Sequence, residues 1–142
     1  MFATVGGRPL GMAVDSDGRL IVTNHGIGLQ AVSPAGEVTL LTDSAGGEPI
    51  RFANDVVIAD DGAVYFSDSN ARFNNASLPG LPSHSLYDFL EGRPRGRLLR
   101  YDPVTRSTTV LLSGLYFPNG IVVTADQRSL LVAESTRYRI TR

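Results

Sequence analysis

Two asparagines stand at the same point of two copies of one sequence pattern. Asn54 lies in FANDVVIADDGAVYFSD and Asn119 lies in FPNGIVVTADQRSLLVAE. Each copy contains an aromatic residue, a small residue, the asparagine, an apolar run, an acidic turn and a second apolar run. An amide oxygen is a good neutral ligand for a hard cation such as Ca²⁺, so the two residues could share one ion. Asparagine also suits left-handed turns, and a purely structural role stays open.

The composition removes several other kinds of chemistry. The chain has no cysteine, and all 13 of its basic residues are arginine. Thiolate nucleophiles, cysteine-bound metals and lysine Schiff bases are therefore excluded. A net charge of −1 predicts no nucleic-acid partner. The chain has neither an apolar run of about 18 residues nor a signal-like start, which predicts no membrane partner and, by default, a cytoplasmic location.

The elements that position the asparagines form a repeat. A third copy, PLGMAVDSDGRLIVTN, begins at Pro9. In each copy two apolar runs of about five residues flank a polar turn, which is typical of a β-hairpin. The segments LQAVSPAGEVTLLT and RLLRYDPVTRSTTVLLS predict a second hairpin in the first two copies. A four-stranded antiparallel unit of about 40 residues has the size of a propeller blade, so the predicted fold class is an all-β propeller.

The blades divide one partial domain, residues 1–142, unevenly. The predicted units are about 8–43, 50–114 and an incomplete 115–142, which makes about two and a half blades. Closed propellers have about four to eight blades. The sequence therefore predicts a piece of a longer protein, and a homodimer that completes the ring from two copies is the alternative.

The second unit carries an insertion, at about residues 70–96, that is rich in Asn, Ser, Gly and Pro. Loops of this length are commonly lids or binding loops. Within it, SHSLYDFLEG predicts a short helix that ends at Gly92. Phe73 and Tyr87 are candidate substrate-binding residues, because aromatic rings here could roof an apolar substrate. The arginines of GRPRGR are predicted to form a solvated turn; they are Arg93, Arg95 and Arg97.

Taken together, the segments GRPLGMAVDSDGRLIV, IRFANDVVIADDGAVYFSDS, GRLLRYDP, FPNG and LLVAE resemble the strictosidine synthase-like family. That family belongs to a superfamily of six-bladed propellers with paraoxonases, SMP-30 gluconolactonases and phosphotriester hydrolases. The resemblance implies that this chain forms middle blades of a six-bladed ring. In the hydrolase branches the central tunnel holds a catalytic Ca²⁺, whose ligands include asparagines before the innermost strands of successive blades. Asn54 and Asn119 fall on those positions.

The resemblance implies a calcium-dependent hydrolase of lactones or esters, of the lactonase or arylesterase type, that acts on a small molecule. The metal site would be incomplete here, because two neutral oxygens hold Ca²⁺ weakly and the family's acidic ligands lie in other blades. The isolated chain is therefore expected to be inactive. Asp55, next to the first asparagine, is expected to face away along its strand.

Two other functions stay open. One is a non-catalytic propeller that binds a ligand or a protein. The other is a synthase that condenses an amine with an aldehyde; plant strictosidine synthases typically lack the asparagines and rely on a glutamate from a late blade. Because this chain has both asparagines, the resemblance favours hydrolysis.

Histidine is the remaining candidate for proton transfer. The paraoxonase histidine pair would fall on Leu10 and His25. Leucine cannot transfer a proton, so the pair is broken, but His25 could still orient substrate or act as a base near neutral pH. An exposed loop histidine is the alternative. Polar residues at the ends of three inner hairpins also align and are predicted to hydrogen-bond neighbouring blade loops; they are Asn24, Asp68 and Glu134.

Overall fold

The structure, a computed structural model, describes residues 1–72 and 84–142. These residues form thirteen β-strands, one α-helix and one 3-10 turn. The strands are β1 (Arg8–Val14), β2 (Leu20–His25), β3 (Gly28–Val32), β4 (Val38–Thr42), β5 (Ser44–Ala45), β6 (Glu48–Pro49), β7 (Ala53–Ile58), β8 (Val64–Asp68), β9 (Gly96–Asp102), β10 (Ser107–Leu115), β11 (Pro118–Val123), β12 (Leu130–Glu134) and β13 (Arg139–Thr141).

Three antiparallel sheets follow one another along the chain. The first contains β1 to β4 and the second β7 to β10, each with every strand paired to its neighbour in the chain. The third contains β11, β12 and β13. The strands β5 and β6 form a small hairpin between the first two sheets. The prediction of an all-β fold built from four-stranded antiparallel units is confirmed. The third unit also has a short third strand, which the 3-10 turn Ser135–Arg137 leads into.

The inner hairpins share one type of turn. Gly18 donates its N–H to the carbonyl of Asp15 at 3.0 Å, and Gly62 donates to Ala59 at 2.9 Å. Both glycines have positive φ, of 76° and 83°, which a residue without a Cβ adopts at little cost. In the third sheet Gln127 holds the same left-handed conformation, with φ 57°. The repeat therefore dictates the same turn in all three sheets.

Neighbouring sheets pack face to face, and their first strands also contact one another. β7 contacts β1 on one side and β11 on the other, which makes these the innermost strands. One core cluster, including Leu99 and Phe66, lies between the first and second sheets, and a second, including Leu98 and Ile121, lies between the second and third. Leu98 and Leu99 point to opposite faces because side chains alternate along a strand. The second sheet is thus buried on both faces, which accounts for its continuous apolar runs.

The insertion contains the helix α1 (His84–Glu91), and the prediction of a helix there is confirmed. Gly92 follows it with φ 60°, the left-handed conformation common just after a helix. Residues 73–83, which include the predicted substrate-binding Phe73, lie outside the described part of the chain. Within the described part, no helix is both long and apolar enough to span a membrane.

Candidate metal and substrate site at the start of the innermost strands

Asn54 and Asn119 occupy equivalent positions in neighbouring innermost strands. Each is the second residue of its strand, β7 or β11, and each is half-buried. Each asparagine lies within a β-bulge, between Ala53 and Val56 in β7 and between Pro118 and Ile121 in β11. Neither asparagine has a positive φ, so a left-handed turn role is wrong for both. The left-handed residue in this region is Phe117, two positions before the second asparagine, with φ 50°.

Two side-chain hydroxyls join the asparagine backbones to the preceding sheets. The Thr23 hydroxyl on β2 donates to the Asn54 carbonyl at 2.6 Å, and the Ser67 hydroxyl on β8 donates to the Asn119 carbonyl at 2.9 Å. Each hydroxyl also accepts a backbone N–H from the innermost strand of its own sheet, at 2.9 Å and 3.0 Å. We call the two bonds to the asparagine carbonyls the hydroxyl bridges. They fix the position of each asparagine along its strand relative to the sheet before it.

The Asn54 side chain has a hydroxyl partner of its own. Its Nδ2 donates to Ser69 Oγ at 2.9 Å, and this hydroxyl donates to the Pro118 carbonyl at 2.6 Å. Sequence reasoning missed Ser69. The signal was available, because Ser69 occupies the same repeat position as His25, which was singled out. Ser69 therefore links the first asparagine side chain to the backbone beside the second.

Asp55 does not face away along the strand as expected. Its Oδ2 accepts the N–H of Ile121 at 2.9 Å, across the gap between β7 and β11. The β-bulge at this point breaks the regular alternation on which the expectation depended. In the first sheet Gly11 takes this place, and a Cβ there would lie 2.7 Å from the Asp55 Cα. The close approach of β1 and β7 thus requires a glycine at that position.

A buried ion pair holds the start of the second sheet. Asp68, fully buried, accepts the Phe52 N–H at 2.8 Å and the Arg97 Nε at 3.0 Å. Arg97 also donates to the carbonyls of Ala45 and Pro49, at 3.2 Å and 2.8 Å. Burial raises the pKa of Asp68 above its usual range. The Arg97 charge and the hydrogen bonds that Asp68 accepts from Arg97 and from the Phe52 N–H oppose that shift. The prediction of a solvated turn is wrong for Arg97.

The third sheet repeats this arrangement with a more accessible arginine. Glu134 accepts the Tyr116 N–H at 2.8 Å and the Arg139 Nε at 2.8 Å. Burial acts against ionisation, but the hydrogen bonds from Arg139, Thr141 and the Tyr116 backbone outweigh it and lower the pKa of Glu134. The aligned Asn24 of the first sheet accepts the N–H at the start of β1 at 2.8 Å. These polar residues therefore bond mainly the first strand of their own sheet, and the expected contact to an adjoining loop is made through Arg97.

His25 begins a row of aromatic rings that crosses the sheets. It ends β2, is only 1% exposed, and its ring centroid lies 4.0 Å from that of Phe52. The exposed-loop alternative is therefore wrong, while a catalytic role stays a prediction. The Phe52 ring lies 5.4 Å from Phe117 in an edge-on arrangement, and Phe117 stacks on Phe89 of α1, also at 5.4 Å. The row brings an apolar surface to within two residues of both asparagines.

The helix α1 is tied to its flanking chain by charge. Glu91, its last residue, accepts the Arg95 Nε at 2.8 Å and also pairs with Arg72. The hydrogen bond from Arg95 is the main cause that lowers the pKa of Glu91, and Arg72 adds to it. Tyr87, predicted to contact substrate, lies half-buried on this helix. The helix is thereby held with Phe89 against the aromatic row.

The donor types at this end of the sheets suit a hard cation, but their number is small. Asn54 and Asn119 offer neutral oxygens, whereas Ca²⁺ takes six to eight. The nearby Asp55 carboxylate is already bonded to the Ile121 N–H through one oxygen. Within residues 1–72 and 84–142, no group of three or more His, Cys, Asp or Glu residues is placed to hold a metal ion. Two amide oxygens are therefore too few to hold Ca²⁺ by themselves, and a calcium site here stays a prediction.

Two grooves lie at the opposite end of the sheets. One is lined by the turns of the second and third sheets, including Asp60 and Gln127, and the other by the turns of the first and second, including Asp15 and Arg106. Both are far along the strands from the asparagines. The grooves are therefore gaps between neighbouring sheets at the turn end, separate from the candidate site.

Comparison with known proteins identifies the family. A family model described as "Strictosidine synthase" matches residues 54–142. The chain belongs to the strictosidine synthase family. STRICTOSIDINE SYNTHASE-LIKE 7 of Arabidopsis thaliana is 42% identical over 141 residues, with 97% of this chain and 36% of the relative covered. The adipocyte plasma membrane-associated protein of Salmo salar is 40% identical over 141 residues, covering 96% of this chain and 32% of the relative.

Solved structures support the fold. A gluconolactonase from Xanthomonas campestris superposes with a TM-score of 0.73 at 24% identity, covering 93% of this chain and 42% of that one. This likeness shows a shared all-β propeller architecture. The chain spans about a third of the length of the curated relatives it matches. This strictosidine synthase-like chain thus corresponds to part of the longer relatives.

Proposed function

We propose that this strictosidine synthase-like chain contributes to a calcium-dependent hydrolase of small lactones or esters. One observation carries the proposal: Asn54 and Asn119 stand at the same point of adjoining innermost strands, with each backbone held by a hydroxyl bridge. Equivalent positions on neighbouring blades face the same axis of a propeller, so the two amides are suited to one ion. The hydrolase branches that the sequence resembles supply the substrate class.

Asn54 and Asn119 would hold the ion through their Oδ1 atoms. Further ligands, including acidic ones, would come from other blades of the full-length protein or from a second copy, since two amides are too few. When bound, Ca²⁺ would polarise the carbonyl oxygen of the substrate and stabilise the charge that develops on it. The role of this chain would be to hold the two amide oxygens in position before the substrate binds.

The aromatic row would shape the apolar side of the site. Phe117 is buried and stacks on Phe89, which remains about half exposed on α1. Phe89 and Tyr87 would therefore cover an apolar part of the substrate and exclude water from the bond to be cleaved. His25 is a candidate base only if the bound substrate reaches its buried ring, and its role is tested by substitution.

A second candidate function follows from the family itself. The matching family model is described as strictosidine synthase, which favours condensation of an amine with an aldehyde. A non-catalytic propeller that binds a ligand is the third candidate. Retention of both asparagines favours hydrolysis over condensation, because condensation at this fold would not need two metal-binding amides.

The test is a panel of lactones and aryl esters with the full-length protein, with and without Ca²⁺. We expect Ca²⁺-dependent turnover that falls at least about 100-fold in Asn54→Ala and Asn119→Ala, in line with loss of a metal ligand. Gln127→Ala, an amide change at the turn end of the sheets, is the matched control and should retain turnover. Turnover that ignores both Ca²⁺ and the two alanine variants would contradict the proposal. Calcium binding without turnover would support the binding scaffold, and coupling of an aromatic amine to an aldehyde would support the synthase.

A further inference from the structure

We infer that Ser69 is a positioning residue that decides which end of the Asn54 amide faces the metal. The inference rests on the proposed function and deepens it. It starts from one geometric fact: Ser69 Oγ lies between Asn54 Nδ2, at 2.9 Å, and the Pro118 carbonyl, at 2.6 Å.

The hydrogen count at Ser69 allows only one arrangement. A serine hydroxyl has a single proton, and a carbonyl oxygen can only accept. The proton therefore goes to Pro118, and Ser69 Oγ must accept from its other neighbour. The donor end of the Asn54 amide, Nδ2, consequently faces Ser69. Because Ser69 is fully buried, water does not compete for either bond.

The other end of the amide is then the oxygen, directed away from Ser69. Within the described part of the chain, no hydrogen bond reaches Asn54 Oδ1. An oxygen left available and held in one orientation is what a calcium ligand requires, whereas the NH₂ group would repel the ion. A flipped amide would thus lose the ligand without moving the strand.

Ser69 also connects the two candidate ligands. Its own N–H donates to the Phe52 carbonyl at 2.9 Å, at the start of β7, while its hydroxyl holds the backbone just before Asn119. One side chain thus fixes the orientation of the first amide and the position of the second strand. Outer partners of this kind typically change metal affinity by about 10–100-fold when removed.

Thr124 provides a control away from the asparagines. Its hydroxyl accepts the Ser129 N–H at 3.0 Å and donates to Asp126 Oδ1 at 2.6 Å, at the turn end of the third sheet. Thr124→Val and Ser69→Ala should both lower the unfolding temperature, because each removes a hydroxyl that makes two hydrogen bonds. Only Ser69→Ala removes the group that orients a side-chain amide.

The experiment uses the full-length protein and Ca²⁺ alone, without substrate. We expect Ser69→Ala to weaken calcium binding in calorimetry by about 10–100-fold, Thr124→Val to change it by less than about threefold, and Ser69→Thr to retain binding. A second measurement needs no metal: the Asn54 side-chain NH₂ signals in ¹⁵N NMR should show slowed solvent exchange that disappears in Ser69→Ala.

The possible results separate the two proposals. Calcium affinity that is unchanged in Asn54→Ala overturns the proposed metal site itself. Affinity lost in Asn54→Ala but kept in Ser69→Ala overturns only the positioning role. Equal losses in Thr124→Val and Ser69→Ala also overturn it, since a structural effect would then explain both. Unchanged Asn54 NH₂ exchange in Ser69→Ala overturns the assigned orientation.

Discussion

At the residue scale, two arginines in the same repeat position differ sharply in environment. Arg97 pairs with Asp68 and its side chain is 9% exposed, whereas Arg139 pairs with Glu134 and its side chain is 56% exposed. An ion pair that is shielded from water cannot lose one member without leaving the other charge uncompensated. Glu134 is itself buried, but the arginine that covers it is open to water, so removal of Arg139 lets water reach the carboxylate.

We therefore predict different costs for the same substitution. Arg97→Gln should lower the free energy of unfolding by about 3–5 kcal/mol, because Asp68 would remain buried without its cation. Arg139→Gln should lower it by clearly less, because water can take the place of this exposed arginine. Urea unfolding of the two variants measures both values. Equal losses would show that the burial of Arg97 does not govern the energetics of the pair.

Sequence reasoning found the two asparagines but not the residues that hold them. The asparagines could be found because they repeat, and a repeat position is visible in the letters. The repeat also marks the position of Ser69, but the partners of Ser69 and Asp55 could not be assigned from the sequence, because they lie on another sheet and depend on the β-bulge in β7. Arg97 was misjudged because its turn-like neighbours, Gly and Pro, suggest solvent, while its buried partner is 29 residues away.

At the element scale, the spacing between innermost strands is not uniform. A Cβ on Gly11 would lie 2.7 Å from the Asp55 Cα and 2.8 Å from the Asn54 carbonyl, both backbone atoms of β7. The equivalent Gly120 is open by comparison, since a Cβ there would lie 3.9 Å from the Asp55 carboxylate. The backbones of β1 and β7 therefore approach closely at a point where β7 and β11 leave room.

This difference predicts that one added methyl group lowers the stability of the fold at Gly11 but not at Gly120. Gly11→Ala should destabilise the protein by about 1–3 kcal/mol, because the contact is with backbone that cannot rotate away. Gly120→Ala should change stability little, since it has ordinary contact distance. Thermal unfolding of both variants provides the comparison. A stable Gly11→Ala variant would mean that β1 and β7 can separate at no cost.

The charged attachment of α1 predicts a dependence on pH. The pKa of Glu91 is lowered in the folded protein by Arg95 and Arg72, so its contribution is present above the unfolded pKa of about 4.3 and is lost as pH falls through the folded value. We expect the NMR signals of α1 to shift below about pH 4. Glu91→Gln should produce those shifts already at pH 7, whereas Glu48→Gln, an exposed carboxylate on β6, should not.

A titration in which α1 responds identically in Glu91→Gln and in the unmodified protein would contradict this attachment. The helix itself was within reach of sequence analysis, because a short apolar pattern ended by glycine is a local signal. Its attachment to Arg72 was not, since Arg72 and Glu91 are 19 residues apart within the insertion. The hairpins were predictable for the same local reason, and the third strand of the last sheet was too short to stand out.

At the scale of the whole molecule, the two outer sheets present apolar side chains outward. Met12 and Val14 are 63% and 65% exposed on the face of β1 opposite Ala13, which packs in the core. Val122 is 57% exposed on the face of β11 opposite Ile121. Neighbouring blades of a longer chain, or a second copy, would cover both faces. A homodimer that completes the ring remains our proposal for the chain on its own.

We therefore predict that the 142-residue chain self-associates. Light scattering should give a mass above 15.2 kDa that rises with concentration. Val14→Glu should reduce association, because a charge on this face resists burial. Val104→Glu, at a turn residue that is 91% exposed, should leave it unchanged. A mass of one chain at all concentrations would contradict both the dimer and the need to cover these faces.

The series of hydroxyl bridges stops at the third sheet. Thr23 and Ser67 each reach forward to the next asparagine carbonyl, but the residue in that repeat position on β12 is Ala133, which has nothing to donate. A sheet that packs against β11 to β13 must therefore be held at this level by other contacts. That interface would differ chemically from the two before it, and Ala133→Ser would supply the hydroxyl donor that it lacks.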